Sequence, residues 1–258
     1  MVSIKTDREL SLMRKAGEVV GKVFEGLKPL CVPGVSTLQL ATKADEIIRS
    51  NGATPTFLNY NDFPGVICIS VNEVLIHGIP SSQIILRDGD IVSLDVGATY
   101  EGYCADACRT YLVGTVKEEA KRLVRVTKES FFKGIELIKP GTHLVDVCGA
   151  IEDHITKNGY TYPLEFTGHG IGNHLHEDPS IPNYRSNIDL VLKEGMCLAI
   201  EPMVLMGSNK LRVAKDNWTI RSKDGKISAH YENTVFVTRN GVEIITLTKD
   251  EIKECKIN

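Results

Sequence analysis

The segment VPGVSTLQLATKADEIIRSNG at residues 32–52 decides the fold, because it is one copy of an internal repeat. The second copy is KPGTHLVDVCGAIEDHITKNG at 139–159. Further on, LRDGDIVSLD at 86–95 is echoed by LKEGMCLAIE at 192–201. The offset between the copies is nearly constant, and no linker rich in proline, glycine and serine divides them. We therefore predict a single domain over 1–258 with two pseudo-symmetric halves, approximately 1–113 and 114–258.

Each predicted half consists of two helices followed by strands. Thr6 and Ser36 are each followed three positions later by Glu or Gln, which predicts capping boxes for the two helices of the first half. Thr115 and Glu118 mark the expected start of the first helix in the second half. Apolar residues recur at helical spacing behind these positions, as they do in helices that cover one face of a sheet.

The remaining segments carry strand and hairpin signals. The pairs Asp224–Gly225 and Asn240–Gly241 lie between β-rich runs, where such dipeptides favour tight hairpins. Glu101–Gly102 separates two further strand-like runs, 91–100 and 103–112. The pattern predicts an α+β fold, in which a curved antiparallel sheet is covered on one side by helices.

Composition narrows the functional class. A net charge of -3 over 258 residues gives no overall attraction to nucleic acid or to an anionic membrane. No apolar stretch is long enough for a signal peptide core or a membrane span, so we expect no membrane association. The seven cysteines are odd in number and scattered, which indicates reduced thiols in a cytoplasmic protein.

Each half carries an acidic residue at the equivalent position of the repeat. Asp95 ends the run IVSLD and Glu201 ends the run CLAIE. A carboxylate at the end of an apolar strand is buried, and burying an unpaired charge is costly. No Lys or Arg alternates with these acids in their strands, so the sequence favours a metal ion as the compensating charge.

Asp106 extends this acidic pair. If the strands pair across Glu101–Gly102, Asp95 and Asp106 become diagonal neighbours on one face, with their backbones about 7–8 Å apart. Two like charges so placed repel each other unless a cation joins them. An exposed hairpin face carrying two solvated acids has the same spacing, so both interpretations remain open at this point.

Histidines and a fourth carboxylate complete a candidate metal centre. His169 lies in the turn-rich segment GHGIG, and His174 and His176 follow within eight residues. Glu232 enters another apolar run in HYENTVFV. Four carboxylates and one imidazole suit a pair of divalent ions such as Mn, Fe(II), Co or Zn, with water between them.

The order and spacing of these segments resemble the signature of type I methionine aminopeptidases over essentially the whole chain. The matching segments are CISVNEVLIHGIP, IVSLDV, TGHGIG, HLHEDP, AIEPM and HYENTVFVT. The resemblance implies the pita-bread fold and five metal ligands: Asp95, Asp106, His169, Glu201 and Glu232. No long insert separates His169 from Glu201, so the chain resembles the short bacterial and organellar form.

The resemblance also implies substrate-contacting residues. It assigns catalytic roles to His77, His176 and Glu201, and it implies that the two histidines also contact the substrate. It assigns no role to His174. An apolar methionine pocket would be lined by Tyr60, Phe63, Cys68, Leu175 and Trp218. Phe57 also stands at this pocket and departs from bacterial relatives, which often carry a smaller residue there, commonly Cys.

The implied activity is removal of the initiator methionine from nascent proteins whose second residue is small. Glu201 would act as general base on a water between two divalent ions (Co, Mn, Fe(II) or Zn). We expect a cytoplasmic monomer that acts on peptides beginning with methionine and contacts the ribosome transiently. Two alternatives stay open: a proline-directed aminopeptidase or prolidase, and a non-enzymatic binding module on the same fold.

Overall fold

The computed structural model describes residues 2–188 and 190–257. Its long helices lie in pairs, with a last helix near the carboxyl end. Their bounds are α1 Asp7–Leu27, α2 Thr37–Ser50, α3 Glu118–Ile135, α4 Leu144–Lys157 and α5 Lys249–Ile257. Short 3-10 helices cover Lys28–Leu30 and Tyr60–Asp62.

Most of the described strands belong to one antiparallel sheet. The strands are β1 Thr54–Pro55, β2 Cys68–Val71, β3 Val74–Ile76, β4 Ile91–Tyr100, β5 Tyr103–Leu112, β6 Gly168–Gly170, β7 Glu177–Ile181, β8 Cys197–Ile200, β9 Met203–Leu205, β10 Leu211–Val213, β11 Ile220–Ser222, β12 Ser228–His230, β13 Glu232–Thr238 and β14 Gly241–Ile244. The main sheet follows the order β1-β4-β5-β13-β8-β6-β7, with β2 on β4 and β14 on β13. Two smaller sheets, β10-β11-β3 and β12-β9, lie beside it.

The helix starts follow the capping predictions in the first half only. The side chains of Thr6 and Ser36 form capping boxes at α1 and α2, as expected. The prediction for α3 was wrong at Thr115, because the helix begins at Glu118 and Lys117 occupies the cap position without a side-chain bond. The backbone N–H of Thr115 donates instead to Asp88, and this bond holds the residue in the preceding turn.

The two proposed halves use the same local hydrogen bonds. Gly34 and Gly141 both have left-handed backbones, with φ +92 and +94, and their N–H groups donate to Leu86 and Leu192. An isolated bridge next to each glycine joins Ser36 to Ile85 and His143 to Val191. These matches support the predicted division into two halves, which we retain as a proposal.

Strand alternation separates a helix-facing side of the sheet from a polar side. In β4, the side chains of Val92, Leu94, Val96 and Ala98 pack in one apolar cluster with α1 and α2. A second apolar cluster joins α3 and α4 to β13. Successive side chains of a strand point to opposite faces, so Asp95 points away from the helices. The predicted α+β fold, an antiparallel sheet covered by helices, is confirmed.

The hairpin predictions had mixed outcomes. Glu101–Gly102 joins β4 to β5. A hairpin also joins β13 to β14, with Arg239 and Asn240 as its turn and Gly241 as the first residue of β14. The prediction at Asp224–Gly225 was wrong, because β11 pairs with β10 and β3 whereas β12 pairs with β9. The carboxylate of Asp224 accepts backbone hydrogen bonds from Ser208 and Lys226, which fold the turn toward another loop.

Two further sequence expectations concern cysteines and membranes. The six cysteines within the described part of the chain are free and buried, and Cys255 lies outside the described side chains. In the described residues, no helix combines the length and the apolar character that a membrane crossing requires.

Candidate metal centre and substrate cavity

The five predicted metal ligands lie on five neighbouring strands of the main sheet. Across the sheet they occur in the order Asp95 on β4, Asp106 on β5, Glu232 at the start of β13, Glu201 directly after β8, and His169 on β6. Strands β4 and β5 belong to the first proposed half and the other three to the second. The centre therefore spans the seam between the halves.

The β4–β5 register places the first two acids as predicted. Asp95 lies opposite Cys108 and Asp106 lies opposite Gly97, so the two acids are diagonal neighbours on one face. Thr234 on β13 holds Asp106 in place, since its hydroxyl accepts from the Asp106 N–H at 2.9 Å and donates to the Asp106 carbonyl oxygen at 2.8 Å.

Carboxylate oxygens in this cluster are buried without a hydrogen-bond partner. They are Oδ1 of Asp95, Oδ1 of Asp106 and Oε1 of Glu232. Unpaired oxygens of this kind are costly in a protein interior unless a cation binds them. Ligand atoms of Asp106, His169 and Glu232 lie within 4.8 Å of one another, which fits a divalent ion.

Mutual repulsion and burial change the acidity of the cluster. Burial raises the pKa of Glu201 to about 8 and that of Asp95 to about 7. The pKa values of Asp106 and Glu232 also rise well above their usual range, first through burial and then through the neighbouring carboxylates. Ionising all four at neutral pH requires added positive charge, so metal binding must compete with protons.

His169 is oriented for a ligand role. Its Nδ1–H lies 2.8 Å from the carbonyl oxygen of Gly170, to which it donates, and Nε2 is left facing the carboxylates. Nε2 is 3.8 Å from Oε1 of Glu201. Burial lowers the pKa of His169 to about 4, so the imidazole is neutral at pH 7 and able to bind a metal.

One cavity of about 220 Å³ brings together the residues predicted from the sequence. It is lined by all five candidate ligands, both candidate catalytic histidines and every residue predicted for the pocket, together with Asn61: Phe57, Tyr60, Asn61, Phe63, Cys68, His77, Asp95, Asp106, His169, Leu175, His176, Glu201, Trp218 and Glu232. Polar groups occupy one side, and an apolar cluster that includes Phe63, Cys68 and Leu175 forms another. The roles of the individual residues stay predictions.

His176 and Tyr60 form a pair within this cavity. The Tyr60 hydroxyl oxygen lies 2.7 Å from Nδ1 of His176. When this hydroxyl donates, the ring proton sits on Nε2, which is then free to donate to a substrate. The ring of His176 is 4.3 Å from that of His169, centroid to centroid. His174 is exposed, and its ring lies against the side chain of its neighbour Asn173.

His77 also lines the cavity and has an unusual backbone conformation. Its φ of 57 lies in the left-handed region, which costs energy for a residue with a side chain and is found at functional sites. The ring packs edge-on against Phe166 and Trp218, at centroid distances of 5.9 Å and 6.1 Å. These contacts hold the imidazole at the cavity.

The profile of the metallopeptidase family M24 matches residues 11–239 of the chain. The chain belongs to metallopeptidase family M24. A methionine aminopeptidase of Clostridium perfringens is 47% identical over 96% of this chain and 100% of its own length. Methionine aminopeptidase 1 of Bacillus subtilis is 46% identical, with 95% and 99% covered.

Solved structures agree with this M24 assignment. The methionine aminopeptidase of Thermotoga maritima superposes with a TM-score of 0.94 at 42% identity, covering 96% of this chain and 100% of that one. The prolidase of Pyrococcus furiosus gives 0.79 at 28% identity, and the match spans 95% of this chain but 66% of the prolidase. The pita-bread fold and the use of divalent metal ions by this enzyme follow from the family, and the identity of the ions stays open.

A buried ion pair supports the loop that carries His176 in this M24 enzyme. The ammonium group of Lys5 lies 2.6 Å from the carboxylate of Glu177, with side chains that are 4% and 13% exposed. Ser3 donates to the same carboxylate, and any side chain at Gly172 would overlap this pair. The first residues of the chain therefore fasten the loop next to the catalytic cavity.

Sequence reasoning missed one buried histidine of the centre. His230 is 2% exposed, and its Nε2 lies 3.4 Å from Oε2 of Glu201. Burial lowers its pKa to about 4, so this imidazole is also neutral at pH 7. The available signal was its position two residues before Glu232, in the segment HYENTVFV.

The geometry predicts different results for the two neighbouring histidines. His176→Ala should lower kcat by roughly 10²-fold or more on a Met-Ala-Ser peptide, because a donor facing the cavity is lost. His174→Ala is the matched control and should change kcat little, since its ring is turned away toward Asn173. Steady-state kinetics of both variants measure this. Greater sensitivity at His174 would contradict the assignment.

Proposed function

We propose that this M24 enzyme is a methionine aminopeptidase that removes the N-terminal methionine when the second residue is small. One observation carries the proposal: a single cavity combines the candidate metal ligands with an apolar wall of the kind a thioether side chain fits. Methionine is long, unbranched and polarizable, and Phe63, Trp218 and Cys68 form a surface suited to it. The full-length relatives that bear this activity in their names support the same substrate.

Asp95, Asp106, His169, Glu201 and Glu232 would hold two divalent ions. When bound, such ions acidify a water molecule and polarise a peptide carbonyl. Glu201, ionised once positive charge occupies the centre, would accept the proton of the attacking water and pass it to the leaving amine.

The histidines act on the scissile peptide. His176, whose Nδ1 lies 2.7 Å from the Tyr60 hydroxyl oxygen, donates from Nε2 to the carbonyl oxygen as negative charge develops there. His77, which lines the same cavity, contacts the amide or the leaving nitrogen. We further propose that the protein is a cytoplasmic monomer and that it contacts the ribosome transiently, because its substrates are nascent chains.

The proposed function predicts a defined substrate and metal profile. Metal-free protein supplied with Mn, Fe(II), Co or Zn in turn should cleave Met-Ala-Ser and Met-Gly peptides and leave Met-Lys and Met-Phe peptides intact, because a large second side chain clashes at the rim. Ala-Pro peptides serve as the comparison. Faster release from Ala-Pro would identify a proline-directed enzyme, and stoichiometric metal without any cleavage would identify a binding module.

The role of Glu201 predicts a loss of turnover in a folded protein. Glu201→Gln should lower kcat by a factor of hundreds or more, because both a ligand charge and the base are removed. Glu119→Gln, a change at an exposed residue on α3, is the matched control. Kinetics and far-UV circular dichroism are compared for both variants. Turnover near that of the unmodified protein would contradict the assignment.

Phe57 predicts a change in selectivity for the first residue. Its side chain is 7% exposed, and its ring lies against Gly97, the cross-strand partner of Asp106. Phe57→Cys should keep Met-Ala-Ser cleavage within a few-fold and relax discrimination against Leu-Ala-Ser. The relaxation should be partial, because one methylene in an apolar pocket changes binding by about 1–3 kcal/mol. The ratio of kcat/KM for the two peptides is measured in the unmodified protein and in the variant. An unchanged ratio would show that Phe57 does not line the pocket.

A further inference from the structure

His230 occupies a rigid and fully enclosed position beside the acidic cluster. It is the last residue of β12, where it pairs with Met203 of β9. Thr110 holds its backbone from the other side: the Thr110 hydroxyl donates to the His230 carbonyl oxygen at 2.8 Å and accepts from its N–H at 3.1 Å. The ring nitrogen Nε2 is buried and has no hydrogen-bond partner. A polar atom held so firmly without a partner indicates a missing ligand.

The spacing around Nε2 matches the spacing around a shared metal ion. It lies 3.4 Å from Oε2 of Glu201 and 3.8 Å from Oε2 of Glu232. Two atoms bound at about 2.1 Å to one tetrahedral ion lie about 3.4 Å apart. On the other side of Glu201, Nε2 of His169 is 3.8 Å from Oε1. The two imidazoles therefore flank the Glu201 carboxylate, one at each oxygen.

Two sets of three ligand atoms within the cluster share one residue, and Asp95 belongs to neither set. Asp106, His169 and Glu232 form the first set, and Glu201, His230 and Glu232 form the second. Within each set the ligand atoms lie within 4.8 Å of one another. Each set contains one imidazole nitrogen and two carboxylate oxygens, a donor combination typical of borderline divalent ions.

We propose that Nε2 of His230 is a second imidazole ligand of the metal centre. Each of the two ions then has one histidine, and the Glu232 carboxylate serves both. The inference rests on the proposed metal centre and adds a residue to it. A role as a hydrogen-bond donor to Glu201 is the competing explanation, and it leaves the number of imidazole ligands unchanged.

X-ray absorption spectroscopy of the Zn(II)-loaded protein counts imidazole ligands directly. The unmodified protein should show one imidazole for each bound ion, whereas His169 alone supplies one for every two ions. A measured ratio of one imidazole for every two ions would overturn the inference. This measurement needs no variant, so a folding defect cannot obscure it.

Variants of His230 test the same point through metal affinity. His230→Gln and His230→Asn should weaken binding of one of the two ions by about 10–100-fold or more. Changing a residue that only hydrogen-bonds to a metal ligand already costs about 10–100-fold in affinity. The imidazole count should fall by one per protein, and the visible absorption of the Co(II) form should change. His174→Ala removes an exposed histidine and should leave all three readouts unaltered.

The possible outcomes separate this inference from the proposed function. Lower affinity with an unaltered imidazole count assigns His230 to hydrogen bonding and overturns the ligand role, as does unaltered affinity. Unmodified protein that binds no metal, or that binds two ions without cleaving Met-Ala-Ser, contradicts the proposed function instead. The ligand role of His230 and the proposed function are both supported if the unmodified protein binds two ions and is active, and if His230→Gln loses one imidazole ligand.

Discussion

The structure depends on the electrostatic cost of burying four carboxylates at one point. Asp95, Asp106, Glu201 and Glu232 converge where an apolar core surrounds them, and each has a pKa raised above its usual range by burial. A protein tolerates such a cluster only if protons or metal cations neutralise its charge. Four neighbouring strands of one sheet bring those side chains together, and the helices cover the opposite face. The fold can therefore be understood as a frame that holds repelling charges at a fixed distance.

Much of this frame could be predicted from the sequence because it repeats. The recurring Pro-Gly and Asn-Gly motifs correspond to turns with the same left-handed glycines, such as Gly52 and Gly159, at φ values of +75 and +81. Strand alternation and the Glu101–Gly102 turn were sufficient to predict the β4–β5 register, and with it the diagonal relation of Asp95 and Asp106. Local periodicity and turn chemistry specify these features within a few residues.

The parts that escaped prediction depend on long-range contacts. The turn at Asp224–Gly225 resembles a hairpin, but its flanking strands pair with β3, in the first proposed half, and with β9, and not with each other. Tyr60 reaches the cavity from a short 3-10 helix and Trp218 from a loop, so no periodic pattern identifies them, and only the family resemblance pointed to them. His230 was overlooked for a related reason: a lone histidine in an apolar segment is usually structural, and only the three-dimensional arrangement shows Nε2 without a partner.

The position of the metal centre across the seam between the proposed halves links cofactor supply to conformational stability. Ions that bind the folded chain and not the unfolded one add a free energy that grows with their concentration, about 2.7 kcal/mol at one hundred times the dissociation constant. Asp95 and Asp106 come from one side of the seam, and His169, Glu201 and Glu232 from the other. Ions bound by these proposed ligands would join the two proposed halves, so removal of the metal is expected to lower the stability of the folded chain as well as its catalytic rate.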